Sequence, residues 1–159
     1  MNKKNALLLF LCLFCLWAIE QEKKPVKIAC VGNSITYGSG IKNQFQNSYP
    51  GLLSQLLGEG YDVRNFGISA RVMLNKGDHP YMHEQKFRDL LAFQPDIVTI
   101  KLGTNDSKPW NWHYGKDFGK DLTEMLDILQ DLPSKPKIYL CFPVPAVKRN
   151  FGINDSVIT

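Results

Sequence analysis

From Lys23 onward, apolar runs alternate with polar breaks in two distinct rhythms. Val26 to Val31 is a short apolar run that stops at Gly32-Asn33-Ser34. Such a run, bounded by glycine and small polar residues, predicts a buried strand ending in a turn. Tyr61 to Phe66, Ile97 to Leu102 and Ile138 to Phe142 repeat the pattern, closed by Gly67, by Gly103-Thr104-Asn105-Asp106 and by Pro143-Val144-Pro145. Between these runs the apolar positions follow a helical period. Leu52, Leu53, Leu56 and Leu57 form a stripe behind Ser48, with Pro50 in the first turn and Gly58 and Gly60 at the end. Phe87, Leu90 and Leu91 mark a helix over about Glu84 to Ala92, which Pro95 ends. Phe118, Leu122, Met125, Leu126 and Leu129 mark another over about Lys116 to Leu132, stopped by Pro133 and Pro136. Tyr37 to Asn47 and Ser107 to Tyr114 read as loops.

A strand-helix order repeated in this way predicts an α/β domain: a parallel sheet with helices on both faces. The strand ends of a parallel sheet converge on one edge, where ligands bind. Ser34, Gly67 and Asn105 would meet there as a hydroxyl, a closely approachable backbone N–H and an amide donor. Acyl transfer needs those parts, a nucleophile and donors aimed at the developing oxyanion. The plainer alternative for Ser34 is the cap of the next helix, and Asn33 is expected to hold the turn through its neighbours' backbone. Asp106 reads as a turn residue. Trp110 and Trp112 either line a pocket or cover the core. Arg71 offers a bidentate contact to an acidic substrate, or a solvated loop charge, and the second is expected.

The chain has 159 residues, a hydrophobic fraction of 44% and a formal charge of +4, which fits one globular domain. No Arg-rich run or aromatic nucleic-acid signature is present, so no nucleic-acid partner is expected. Gly32, Gly38 and Gly40 fit neither a dinucleotide nor a P-loop spacing, and no His/Cys cluster has metal-ligand spacing, so neither cofactor nor metal is expected. A flavodoxin-like site for a phosphate-bearing cofactor, using Ser34, Thr36 and Ser39, leaves the Gly103 to Asp106 block without a role. Lys3 and Lys4 precede an apolar run from Ala6 to Ala18. That run is shorter than the roughly 20 apolar residues of a membrane span. It matches a signal peptide over residues 1–18, hence a secreted or periplasmic protein with no stable span after cleavage and a domain over residues 23–159. Of the four cysteines, Cys30 and Cys141 would remain, both in strand-like runs and read as buried free thiols.

Gly32-Asn33-Ser34-Ile35-Thr36, Gly67 and Gly103-Thr104-Asn105-Asp106, in that order, resemble the SGNH hydrolases, also called GDSL-type lipases and esterases. Asn33 stands where that family usually has Asp. Within the family the stretches Gly103 to Trp112 and Pro136 to Pro145 are most similar to bacterial sialate O-acetylesterase and arylesterase-like members. The resemblance implies a flavodoxin-like three-layer α/β/α sandwich, with Ser34 as nucleophile. It implies an oxyanion hole made by the N–H groups of Ser34 and Gly67 and the Asn105 side chain. The implied substrate is a small acyl ester, most simply an acetyl group on a carbohydrate such as O-acetylated sialic acid. The family's general base lies in an Asp-x-x-His block near the C-terminus, and no such block occurs in the 159 residues. The last strand and helix of the fold are missing as well. A partial domain of a longer protein is therefore expected, with a non-catalytic carbohydrate-binding module on a decayed hydrolase fold as the alternative. His79, His83 and His113 fall outside the family's order for the base.

Overall fold

The computed structural model describes residues 24–145 and 151–158. Residues 1–18, expected as a signal peptide, lie outside them. Four strands, β1 (Val26–Gly32), β2 (Tyr61–Gly67), β3 (Ile97–Lys101) and β4 (Lys137–Leu140), form one sheet in the order β2-β1-β3-β4. Every pairing is parallel. The helices are α1 (Ser34–Tyr37), α2 (Gln44–Asn47), α3 (Tyr49–Leu57), α4 (Gln85–Phe93), α5 (Pro109–Trp112), α6 (Phe118–Gln130) and α7 (Asp155–Ile158). The four strands and three long helices fall within two residues of where the periodicity predicts them. The two predicted loops each contain a one-turn helix, α2 and α5, too short to show a period.

Side chains alternate across the strands, and the register decides what each face meets. Ala29 pairs with Val98 and Val31 with Ile100, so these four share a face. With Phe66 they form the floor of the core, under Phe87, Leu90 and Phe93 of α4 and Met125 and Leu129 of α6. Each large apolar side chain buried there contributes about 1.5–3 kcal/mol. Cys30 and Thr99 pair on the opposite face. Tyr49, at the start of α3, reaches that face and hydrogen-bonds the Thr99 hydroxyl at 3.2 Å. The helices thus cover both faces, as α/β/α layering requires. Cover on the α3 side is thinner: Leu53 and Leu57 are half-buried while Leu52 and Leu56 point outward.

Cys30 is buried in the central strand, but Cys141 is exposed, against the expectation of two buried thiols. It lies one residue past β4, the outermost strand of the described sheet, where Tyr139, Leu140 and Phe142 are exposed too. A strand that reads as buried from its apolar run is half-covered when it stands at the edge.

Candidate active site

The chain passes from β1 to β2 on one side, then returns across β1 to β3 on the other. The strand order therefore reverses between β1 and β3. A crevice opens at such a reversal, beyond the carboxyl ends of the strands. Ser34 follows β1 and Asn105 follows β3, so the two flank it. The register sets Gly32 opposite both Gly67 and Lys101, which places the ends of the three strands level.

Asn33, and not Ser34, caps α1. Its Oδ1 accepts the N–H of Ile35 at 3.0 Å, and the residue is buried. This capping leaves the Ser34 hydroxyl with no hydrogen-bond partner among the described residues. Ser34 is partly exposed at the first helical position, where a backbone N–H has no intrahelical acceptor. Asn65 holds the helix from the side: its Nδ2 donates to the carbonyls of Thr36 at 3.0 Å and Tyr37 at 3.3 Å.

The same Asn65 accepts the N–H of Gly67 on its Oδ1 at 2.8 Å. The Gly67 N–H, expected from sequence to face an oxyanion, is thus engaged within its own strand end. What Gly67 provides is space. A Cβ there would lie 2.8 Å from the Thr36 carbonyl carbon and collide with the Tyr37 nitrogen, so only glycine lets β2 end against α1.

Beyond Gly67 the chain turns across the crevice. Ile68 N–H donates to Gly32 O at 3.0 Å, and the Ser69 hydroxyl meets that of Ser39 at 2.7 Å. Asn105 Nδ2 donates to Arg71 O at 3.0 Å. The 68–71 segment is therefore tied to the Ser34 side at one end and to Asn105 at the other. Ala70, midway, has φ 68°, a left-handed conformation that L residues seldom adopt. Its N–H has no partner among the described residues. Alanine carries no sequence sign of such a conformation, so this donor could not be read from the sequence.

Asn105 is itself fixed. Asn111 Nδ2 donates to the Asn105 carbonyl at 2.9 Å and to Asp78 Oδ1 at 3.0 Å, and Asn111 Oδ1 accepts the Asp78 N–H at 2.9 Å. Gly103, with φ 106°, makes the turn between β3 and Asn105. Next to it, Asp106 is fully buried, and its Oδ1 accepts the N–H groups of Met73 at 2.8 Å and Leu74 at 2.9 Å. Burial pushes its carboxyl up, and those two amides pull it back part of the way. It is a tie between turns, as its position suggested, across a sequence separation that no local pattern reveals.

Trp110 donates from Nε1 to Asp78 Oδ2 at 3.2 Å and stays 55% exposed. Trp112 packs on Phe118 with ring centroids 6.1 Å apart. One tryptophan thus remains on the rim of the loops while the other leans on α6. No histidine side chain hydrogen-bonds Ser34 among the described residues; His113 stacks edge-on against Tyr114. No group of His, Cys, Asp and Glu among them has a metal-binding arrangement.

Residues 30–157 match the model of the GDSL-like Lipase/Acylhydrolase family. The chain belongs to that family. It is 52% identical over 155 residues to a protein of Xylanibacter ruminicola named Acetylxylan esterase, an alignment covering 87% of this chain and 32% of that protein. The chain thus spans about a third of the length of this curated relative. Among solved structures it resembles a putative arylesterase from Agrobacterium tumefaciens (20% identity, TM-score 0.65, 83% of this chain and 73% of that one). It also resembles Est24, a carbohydrate acetylesterase from Sinorhizobium meliloti (21% identity, TM-score 0.60, 76% and 65%). At such identities the likeness carries the fold, the parallel α/β architecture with its sheet and helices. No helix among the described residues is long and apolar enough to cross a membrane.

Proposed function

We propose that the protein is a serine esterase that removes acetyl groups from carbohydrate. The observation that carries this reading is the Ser34 hydroxyl, left without a partner by the Asn33 cap, on the crevice between β1 and β3. Ser34 attacks the ester carbonyl. The oxyanion is received by the N–H groups of Ser34 and Ala70 and by the Asn105 side-chain amide, whose second hydrogen remains available after the bond to Arg71. A general base takes the serine proton, passes it to the leaving alcohol, and later activates water against the acyl-enzyme. Ala70 replaces Gly67 as donor because the Gly67 N–H is already engaged.

The acetylxylan esterase relative favours an O-acetylated xylan chain as the first polysaccharide to test, ahead of O-acetylated sialic acid. The Lys3-Lys4 pair and the apolar run that follows support export, which mass spectrometry of the mature N-terminus would check. The test of the activity is acetate release by the complete protein from 4-nitrophenyl acetate and from acetylated xylan. Wild type is expected to release acetate and Ser34→Ala to lose the activity. A wild-type protein without esterase activity, or a Ser34→Ala variant that keeps it, overturns the reading.

A further inference from the structure

Arg71 is not the solvated loop charge expected of it. Its side chain is 25% exposed and committed on two sides. Nε and Nη2 both lie 2.8 Å from Glu84 Oε1, and Nη1 donates to the Ser69 carbonyl at 3.0 Å. Glu84 is a firm anchor. It is the residue before α4, its N–H donates to Tyr81 O at 3.1 Å, and Tyr81 is fully buried with its hydroxyl on Phe66 O at 2.6 Å. Val72 N–H donates to His79 O and Tyr81 N–H to Val72 O, which pins the segment just after Arg71 to the same anchor.

The carbonyl that Arg71 grips belongs to the peptide unit whose N–H is that of Ala70. A trans peptide is planar, with C=O and N–H pointing in opposite directions. Holding the Ser69 oxygen therefore sets the direction of the Ala70 N–H. The adjacent positive charge also polarises the unit and strengthens its N–H as a donor. The backbone carbonyl of Arg71 meanwhile takes one amide hydrogen of Asn105, which orients the other. One residue thus touches the supports of both donors.

We propose that Arg71, braced by Glu84, is a positioning residue that sets the oxyanion-binding geometry of Ala70 and Asn105. The inference rests on the serine-esterase reading above. Its effect is expected on the transition state, because its contacts run to Glu84 and to the Ser69 carbonyl behind the donor. Loosening a donor by a fraction of an ångström is expected to cost about 10- to 100-fold in kcat.

The test measures kcat and KM for 4-nitrophenyl acetate in Arg71→Met, Arg71→Lys and Glu84→Gln of the complete protein, with melting temperatures beside them. The expected result is a roughly 10- to 100-fold lower kcat for Arg71→Met with KM within about threefold. Arg71→Lys should restore part of that loss, since one ammonium reaches one of the two acceptors. Glu84→Gln, which leaves the loop folded and keeps an acceptor oxygen, should show a smaller loss of the same kind. Unchanged kcat in folded Arg71→Met or Glu84→Gln overturns the proposal, as does a rise in KM at constant kcat, which would make Arg71 a substrate contact. Ser34→Ala run in parallel separates the two readings. If it abolishes turnover while the Arg71 and Glu84 variants leave kcat intact, only the positioning role falls.

Discussion

Replacing Asp106 by alanine should remove a large part of the domain's stability. The carboxylate is fully buried and its Oδ1 is the acceptor of two main-chain N–H groups, those of Met73 and Leu74. Both amides lie in the segment that carries on from Arg71, 32 and 33 residues earlier in the chain. Each buried amide left without an acceptor costs about 1–3 kcal/mol, so two cost roughly 2–6 kcal/mol. A typical domain has about 5–15 kcal/mol in total. Asp106→Asn keeps an acceptor for the amides but places an NH2 group where the buried Oδ2 has no partner, so it should lose less, about 1–3 kcal/mol. Burial raises the Asp106 carboxyl above its ordinary range, which fixes the sign of the pH dependence. The folded state holds the proton more tightly than the unfolded one. This group's contribution to stability is then complete below the ordinary carboxylate range, about 4, and is lost as pH rises through the raised folded value. Asparagine cannot titrate, so the deficit of Asp106→Asn against wild type should be greatest in acid and narrow toward neutral pH. Urea denaturation followed by circular dichroism at several pH values measures all three. An Asp106→Ala variant within 1 kcal/mol of wild type, or an Asp106→Asn deficit that widens with pH, would refute the argument.

Asn105→Ala removes an oxyanion donor and should lower kcat about 100- to 1000-fold with KM little changed, as steady-state kinetics on 4-nitrophenyl acetate would record. Gly67→Ala forces a methyl group against the Tyr37 nitrogen and the Thr36 carbonyl carbon, so it should destabilise the fold by about 1–3 kcal/mol, read as a lower melting temperature; a variant as stable as wild type would mean that α1 moves freely over the end of β2. Iodoacetamide should alkylate Cys141 in the native protein and reach Cys30 only after denaturation, because Cys30 is buried and burial pushes its thiol up, whereas Cys141 is exposed; peptide mapping before and after unfolding distinguishes the two.

What the sequence made legible follows from how far each signal reaches. Strand and helix positions depend on residues within a few places of one another, and the runs at Val26, Tyr61, Ile97 and Ile138 show them directly. The order of the strand ends then places Ser34 and Asn105 on one edge by topology alone. Contacts between loops are another matter. The segment from Ile68 to Asp78 has almost no regular structure, yet its backbone is satisfied by side chains from far along the chain: Asp106 at Met73 and Leu74, Asp121 at Asn75 and Asn111 at Asp78. Each such partner is an ordinary polar residue in sequence, equally suited to solvent. Arg71 is the clearest case, since a lone arginine in a polar loop reads as solvated until Glu84 and the Ser69 carbonyl are seen to hold it.

The two oxyanion donors expected from sequence besides Ser34 fared differently for the same reason. Asn105 advertises itself because an amide side chain carries its donor wherever the backbone puts it. A main-chain N–H advertises nothing, since every residue but proline has one and its direction is set by the peptide plane. Gly67 drew attention because glycine tolerates close approach, and close approach is its role, with Tyr37 and Thr36 as the neighbours. The free N–H belongs to Ala70, whose left-handed backbone is imposed by its surroundings and not by its side chain. Positive φ in an alanine carries strain, and such strain persists where neighbouring contacts over-determine the conformation. Here those contacts are the grip of Arg71 on Ser69 O, the Asn105 bond to Arg71 O and the Ser69–Ser39 hydroxyl pair. The conformation at Ala70 and the clamp around it are thus one device, and loosening the clamp should release the strain and misdirect the donor together.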